Sequence, residues 1–331
     1  AFTQRECFEI LSQSAAMEGL RGRSRDLLQK VLTGDSGIET RRFCDPDLKK
    51  TFGYEAGALH QHFEFHAPRL ASEALLKACD LASIKPSGID ALLVCTCTGY
   101  LCPGLSSYIS ERLGLRPNAF LQDLLGLGCG AALPLLETAR GFLAANPDAT
   151  VATIAVEISS AAFYLNDEPG VLISLCLFGD GAAAAIWKAK SQGGQLRFQN
   201  FRTIHQPEHR EKIRFVNAGG RLKNQLHREV PELAAKAVAQ LYDMSSNAPR
   251  KIIAHTGGRD VIEAIERAIP GQKLSATREI LRQYGNISSP SVLAALEHSL
   301  ATSPHAESLW LTAFGAGFAA HSGELVASQD V

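Results

Sequence analysis

Apolar positions along the chain follow two periods, and the change from one to the other sets out the elements. Residues 1–36 are apolar at helical spacing with charge on one face, a run that Gly34 and Gly37 should end. Residues 37–43 predict a loop entering an extended segment. Over residues 63–81 the apolar period is three to four, and Glu73 and Lys77 stand four apart, which predicts a helix. Lys85-Pro86-Ser87-Gly88 predicts a turn. Residues 89–98 and 149–158 are nearly continuous apolar runs, the pattern of strands buried on both faces. A loop over 99–104 and a helix over 105–113 lie between them. In residues 174–187 the glycines interrupt an apolar run and predict strand, tight turn, strand. Further on, helices are expected over 230–242 and 259–269, and a strand from Arg250 to His255. The turn at 284–289 should open a helix, with Ser288 or Ser289 as N-cap before Pro290. A strand over 307–312 and a last one ending at Val326 close the pattern.

The two halves of this order resemble each other. Leu-Leu-Val-Cys-Thr-Cys-Thr-Gly, ending at Gly99, matches Lys-Ile-Ile-Ala-His-Thr-Gly-Gly, ending at Gly258. Gly128-Cys129 before a helix matches Gly285-Asn286 before a helix, and Phe178-Gly-Asp-Gly matches Phe314-Gly-Ala-Gly. Internal duplication of this extent implies an α/β protein of two pseudo-symmetric halves, 1–190 and 191–331. Strand ends and helix starts from both halves should meet at the centre, where open α/β sheets bind ligands.

Composition narrows the function. The 331 residues are 46% hydrophobic and 20% charged, and 33 Lys plus Arg nearly cancel 34 Asp plus Glu. No basic block speaks for nucleic acid, and no apolar run is long enough for a membrane span. No signal-peptide pattern opens the chain, although its first residue is Ala rather than Met. The eight cysteines sit mostly within apolar patterns, which suits a reducing cytoplasm better than a disulfide framework. Cys95, Cys97 and Cys102 have no second pair at a zinc-like spacing, and His60, His62 and His66 read as a solvated or partly packed face, so no metal is expected.

Candidate chemistry begins at Cys129. Glycines on both sides suit a sharp strand-to-helix turn that places sulfur at a helix N-terminus, where a thiolate is favoured. Taken alone, the stretch fits a packing cysteine equally well. Cys129 opening a helix, His255 ending a strand and Asn286 preceding a helix then occupy matching places. A thiolate is the soft nucleophile that an acyl thioester requires. An imidazole beside it would keep it ionised, and with a carboxamide would stabilise an enolate oxygen.

With these residues the chain resembles the condensing enzymes of the thiolase fold, and among them the type III polyketide synthases, the chalcone-synthase-like family. The specific pieces are Ala67-Pro68-Arg69-Leu70, Gly114-Leu115-Arg116-Pro117, Gly128-Cys129, Val156-Glu157, Leu177-Phe178-Gly-Asp-Gly-Ala-Ala-Ala, His255-Thr-Gly-Gly258 and Tyr284-Gly-Asn-Ile-Ser-Ser289. The resemblance implies a layered α-β-α-β-α arrangement and catalysis by Cys129, His255 and Asn286. It implies an acyl-CoA or acyl-ACP starter extended by decarboxylative condensation with malonyl-CoA, with no cofactor beyond CoA thioesters. It also implies a homodimer, with Tyr100 to Gly104 as the loop at its contact. Phe178 matches a gatekeeper ring, Glu157 matches a carboxylate facing the cavity or a buried structural one, and Ser288 fits the family. The chain departs from plant members at Cys97, where Thr is common, at Ser159 and Ala162, where smaller side chains leave room for a longer starter or product, and at the loop around Phe314, which lacks a proline. The first strand usual in the family is also missing ahead of Ala1. A ketoacyl-ACP synthase III-like single condensation and a non-catalytic acyl-binding scaffold are the alternatives.

Overall fold

The computed structural model describes residues 1–189, 196–245, 251–303 and 308–327. Arg250 and Glu307, expected at the starts of two strands, lie outside the described residues. The chain begins with β1 (Phe2–Thr3) and α1 (Gln4–Ser12), which is opened by a reciprocal cap between Thr3 and Glu6. The expected single helical run is in fact two helices, α1 and α2 (Gly22–Thr33). Ser14 Oγ donates to the Leu11 carbonyl at 2.6 Å, satisfying the end of α1 locally instead of letting the helix continue. β2 (Thr40–Arg41) pairs antiparallel with β1. After α3 (Leu48–Phe52) comes α4 (Ala56–Leu81), which starts seven residues before the apolar period predicts.

The first large sheet comes from β3 (Ala91–Cys95), β4 (Phe120–Leu124), β5 (Thr150–Glu157) and β6 (Gly181–Lys188), in the order β4-β3-β5-β6. Between these strands run α5 (Leu105–Leu113), α6 (Ala132–Ala145) and α7 (Pro169–Leu177). Residues 174–177 are the end of a helix, not a strand. Pro169 presets its first turn, and the run that follows is apolar all round because α7 is buried against α1 and α2. A short apolar run does not distinguish such a helix from a buried strand.

The second half supplies β7 (Leu196–His205), the hairpin β8 (Ile213–Ala218) and β9 (Arg221–Leu226), and α8 (Val230–Asp243). These are followed by β10 (Ile252–Ala254), α9 (Arg259–Ala268), α10 (Ser275–Tyr284), α11 (Ser291–Thr302), β11 (Ser308–Gly315) and β12 (Ala319–Ala327). Its sheet has the order β10-β11-β12-β7. In both sheets a parallel pair, β3 with β5 or β10 with β11, is followed by an antiparallel neighbour, β6 or β12.

Alternation along the strands sorts the core into layers. Leu93, Cys95, Leu309 and Leu311 face α6 and α11, which lie between the sheets. Leu92 and Val94 face α4 and α5 on one outer side, and Trp310 and Phe314 face α8 and α9 on the other. The result is helix, sheet, helix, sheet, helix.

Arg41, 1% exposed, joins the N-terminal segment to this frame. It donates to the carbonyls of Leu175 at 2.6 Å and Phe178 at 2.9 Å, so a cation closes the C-terminal end of α7. Arg41→Met would strand those carbonyls. We expect it to lower unfolding stability by about 3 kcal/mol, measured by urea denaturation.

Three buried histidines tie the fold to pH. Burial lowers His62 and His321 from 6.5 to about 4, and His255 to about 3. His321 stacks on Phe201 at 5.9 Å, and neither of its ring nitrogens has a hydrogen-bond partner among the described residues. Such rings bind a proton more weakly folded than unfolded. Their contribution is therefore complete above about pH 6.5 and is lost as pH falls toward 4, by roughly 1.4 kcal/mol per pH unit for each ring. Asp180, which burial pushes up to about 6, works in the opposite sense and offsets part of this. The urea midpoint should be level above about pH 7 and fall below about 6.5. His321→Leu should flatten that slope, and an unchanged slope would remove His321 from the cause.

Candidate active site

Cys129 lies in one turn of 3-10 helix, Gly128–Gly130, between β4 and α6. Glycine is required here by close approach. A Cβ on Gly315 would stand 2.5 Å from Gly130 N and Leu127 O, and one on Gly128, at φ +58°, would stand 2.9 Å from Ala316 N. The Cys129 turn of the first half and the end of β11 in the second are therefore in backbone contact.

His255 follows β10, its N–H donating to the Thr312 carbonyl at 2.9 Å and its ring edge-on to Phe314 at 5.2 Å. Asn286 follows α10. Its N–H donates to the Leu177 carbonyl at 2.9 Å, and its own carbonyl accepts from Gly179 N–H at 3.0 Å. These bonds flank Phe178 and fix it to Asn286. The carboxamide Oδ1 accepts from Ser288 N–H at 2.8 Å, which leaves the NH2 group as the free end of the side chain.

Ser288, at φ +58°, is the meeting point. Its Oγ stands 3.3 Å from Cys129 Sγ, 3.2 Å from Glu157 Oε1 and 3.4 Å from Cys97 Sγ. Its backbone also interacts with His255. Glu157 is fully buried at the end of β5. Oε2 accepts from the N–H groups of Cys97 at 2.9 Å and Thr98 at 3.1 Å and from the hydroxyls of Thr96 and Thr98, while Oε1 accepts from Ser289 at 2.6 Å and Cys97 Sγ at 3.3 Å. Hydrogen bonds rather than a cation satisfy this carboxylate.

Burial pushes the Cys129 thiol up to about 12, with Ser288 pulling the other way and the Glu157 charge adding to the rise. The same burial takes His255 down to about 3, against its interaction with the Ser288 backbone. Both shifts work against charge on the resting thiol and imidazole. Burial and Glu157 likewise hold Cys97 well above the ordinary thiol range.

A chamber of about 60 Å³ opens at Cys129, lined by Cys97, Ser159, Ala162, Phe178 and Ser288 among others. A neighbouring cavity of about 540 Å³ shares Cys97, Thr98, Gly128, Arg214, Phe215 and Ala316 with it and reaches His60, Tyr100 and Arg221. Of the two readings given for Glu157, the structure has the buried structural one, holding the 96–98 loop, and Phe314 backs the His255 ring instead of lining the chamber. Ser288 and Ser289 do not cap α11, because their hydroxyls go to Cys129 and Glu157. Thr96, Thr98 and Ser289 were not singled out as site residues; hydroxyls beside a buried carboxylate were the available signal. Nor was the β8–β9 wall, whose Gly219-Gly220 turn marked a hairpin. The expected single histidine face also divides, with His60 exposed, His62 buried and His66 half-buried.

The family model described as FAE1/type III polyketide synthase-like protein matches residues 6–243, and the model for the C-terminal domain of chalcone and stilbene synthases matches residues 208–319. The chain is 28% identical over 309 residues to 1,3,6,8-tetrahydroxynaphthalene synthase of Streptomyces griseus, covering 89% of this chain and 82% of that protein. It is 27% identical over 285 residues to 3-ketoacyl-CoA synthase 6 of Arabidopsis thaliana, covering 72% of this chain and 57% of that protein. Its fold matches that of the tetrahydroxynaphthalene synthase of Streptomyces coelicolor A3(2), a bacterial type III polyketide synthase, with a TM-score of 0.85, 22% identity, and coverage of 99% of this chain and 96% of that one. With the Cys129 turn, the strand-end imidazole and the carboxamide each meeting Ser288 on this thiolase-type frame, the chain belongs to the FAE1/type III polyketide synthase family of condensing enzymes.

Proposed function

We propose that Cys129 carries an acyl starter and that the chain extends it by decarboxylative Claisen condensation with malonyl-CoA, followed by cyclisation and release. The convergence of Cys129, the Asn286 carboxamide and the His255 imidazole on Ser288 beside one chamber carries this reading. The thiol attacks the starter thioester while His255 takes its proton at Nε2 and keeps it; the C–S bond to CoA breaks and CoA departs as a thiolate that is protonated in solvent. The Ser288 hydroxyl, donating to sulfur, stabilises the charge as it forms. Malonyl-CoA then loses CO2, and the enolate oxygen accepts from protonated Nε2 of His255 and from the Asn286 NH2 group. One such donor contributes about 2.7–4 kcal/mol. The enolate carbon attacks the Cys129 thioester, the C–S bond breaks, the released Cys129 thiolate recovers the proton held by His255, and the chain, longer by two carbons, is carried on CoA.

The chamber holds roughly four to six water-sized groups, which fits a short starter despite the small side chains at Ser159 and Ala162. The likeness to a 3-ketoacyl-CoA synthase favours a second reading, one condensation without cyclisation. Edge strand β4, with Phe120, Leu121 and Leu125 exposed nearby, supports the homodimer that the resemblance implies. Among the described residues no helix is long and apolar enough to cross a membrane. The eight free cysteines suit a reducing compartment such as the cytoplasm.

Cys129→Ala should abolish condensation yet retain malonyl-CoA decarboxylation, because the enolate donors remain. Asn286→Ala should lower decarboxylation by about 10²–10³. Radiolabelled CO2 release and product mass spectrometry over a panel of starter CoAs read both, and also count extensions. Condensation that survives in Cys129→Ala would end the proposal. Ser288→Ala removes a donor from sulfur, so iodoacetamide should alkylate Cys129 several-fold more slowly at neutral pH. In both proteins the rate should rise with pH toward the high thiol pKa.

A further inference from the structure

Away from the chamber, the segment after β2 and the first turns of α4 bring together three side chains that condensation does not use. One ligand-type atom each from Asp45, His62 and His66 lies within 4.8 Å of the other two. His62 and His66 stand four apart on α4 and so share a face, with ring centroids 4.4 Å apart and planes at 56°. That spacing is the one at which two imidazoles on a helix can hold a single ion. Asp45 comes from a different element, and its Oδ1 is pinned by Asp47 N–H at 2.8 Å.

Hydrogen bonding behind the cluster orients it. Ser160 Oγ donates to Asp180 Oδ2 at 2.8 Å and lies 2.9 Å from His62 Nε2. A hydroxyl has one proton, so Ser160, having given it to Asp180, accepts from Nε2–H. Nδ1 then keeps the lone pair, and the carboxylate–hydroxyl–imidazole chain is of the kind that steadies metal-ligating histidines. Burial also lowers both imidazoles, which keeps them in the neutral form that ligates. His66 lines a surface cavity of about 720 Å³ together with Cys44, Arg69 and Glu73, which gives an ion a way in. Cys44 adjoins Asp45, but burial and Asp180 hold its thiol high, so it stays protonated.

We propose that Asp45, His62 and His66 form a binding site for a divalent ion of the zinc, cobalt or nickel class, with water completing its coordination. Two imidazoles and one carboxylate suit these ions better than magnesium or calcium, which prefer all-oxygen sets, or copper(I), which prefers sulfur. Ligand atoms on one such ion stand about 3.5 Å apart. Binding would therefore draw the Asp45 segment toward α4 and cross-link the two.

The test uses the full chain, stripped of metal with a chelator and titrated with cobalt(II) by visible absorption and with zinc by calorimetry. We expect one equivalent per chain, visible cobalt bands without a thiolate charge-transfer band, and an upward shift of the unfolding temperature with zinc. His66→Ala and Asp45→Ala should each weaken binding by about tenfold or more and lose the shift, while Cys44→Ala should change neither. In the unmutated protein, cobalt should shift two imidazole N–H proton resonances. Equal affinity in both ligand variants, a sulfur charge-transfer band, the absence of shifted imidazole protons, or no binding up to about a hundred micromolar metal would each overturn the site.

Discussion

Two backbones passing at glycine distance decide where everything else in this molecule sits. The turn at Gly128–Gly130 and the end of β11 at Gly315 approach so closely that a single Cβ on either side would meet main-chain atoms. That contact is made between elements of the two duplicated halves, so it fixes the Cys129 turn of one against the strand-end residues of the other. His255 depends on it indirectly, since its N–H hangs from Thr312 on the same β11 and its ring leans on Phe314, next to Gly315. A thiol and an imidazole more than a hundred residues apart are thus positioned by main-chain geometry, which side-chain motion cannot relax.

Among the described residues no cation pairs with Glu157 in the polar centre built on that frame. The carboxylate is held by hydroxyls, thiol and main-chain N–H groups, and three of the residues that supply them, Cys97, Thr98 and Ser288, also line the chamber. Ser288 has one proton and two acceptors, Cys129 Sγ and Glu157 Oε1, so its hydroxyl can favour the thiolate only by releasing the carboxylate. Burial of His255 works in the same direction, against charge at the resting thiol.

Much of this was legible in the sequence, because continuous apolar runs and glycine punctuation are strong local signals. Strands β3 and β5, helix α5 and the Cys129 turn appear where the pattern places them. What escaped was set by tertiary contact. α7 looked like a strand because burial on every side erases helical periodicity. Ser288 and Ser289 looked like caps because nothing local tells a hydroxyl that its partner is a carboxylate 131 or 132 residues away. The duplication was visible in letters, but the letters pair Leu93 with Ile252, and the alternation of a strand pairs it with Ile253. Both Leu93 and Ile253 pack against the central helices, whereas Ile252 and Ala254 face outward. A one-residue offset in text is a change of face in a sheet.

The chamber shows the same limit from the side of specificity. Small residues at positions 159 and 162 suggested a roomy site, yet the space at Cys129 is about 60 Å³. Its volume is set instead by segments with no motif of their own: Phe163 and Tyr164 just beyond Ser159–Ala162, Leu175 on α7, and Ile213, Phe215 and Leu226 from the β8–β9 hairpin. Phe215 and Arg214 also wall the larger neighbouring cavity, so one hairpin bounds both spaces. A two-stranded hairpin outside both main sheets can change its side chains without disturbing the α-β-α-β-α core. Chain length and starter choice are therefore adjustable there, while the glycine contact that aligns the chemistry stays fixed.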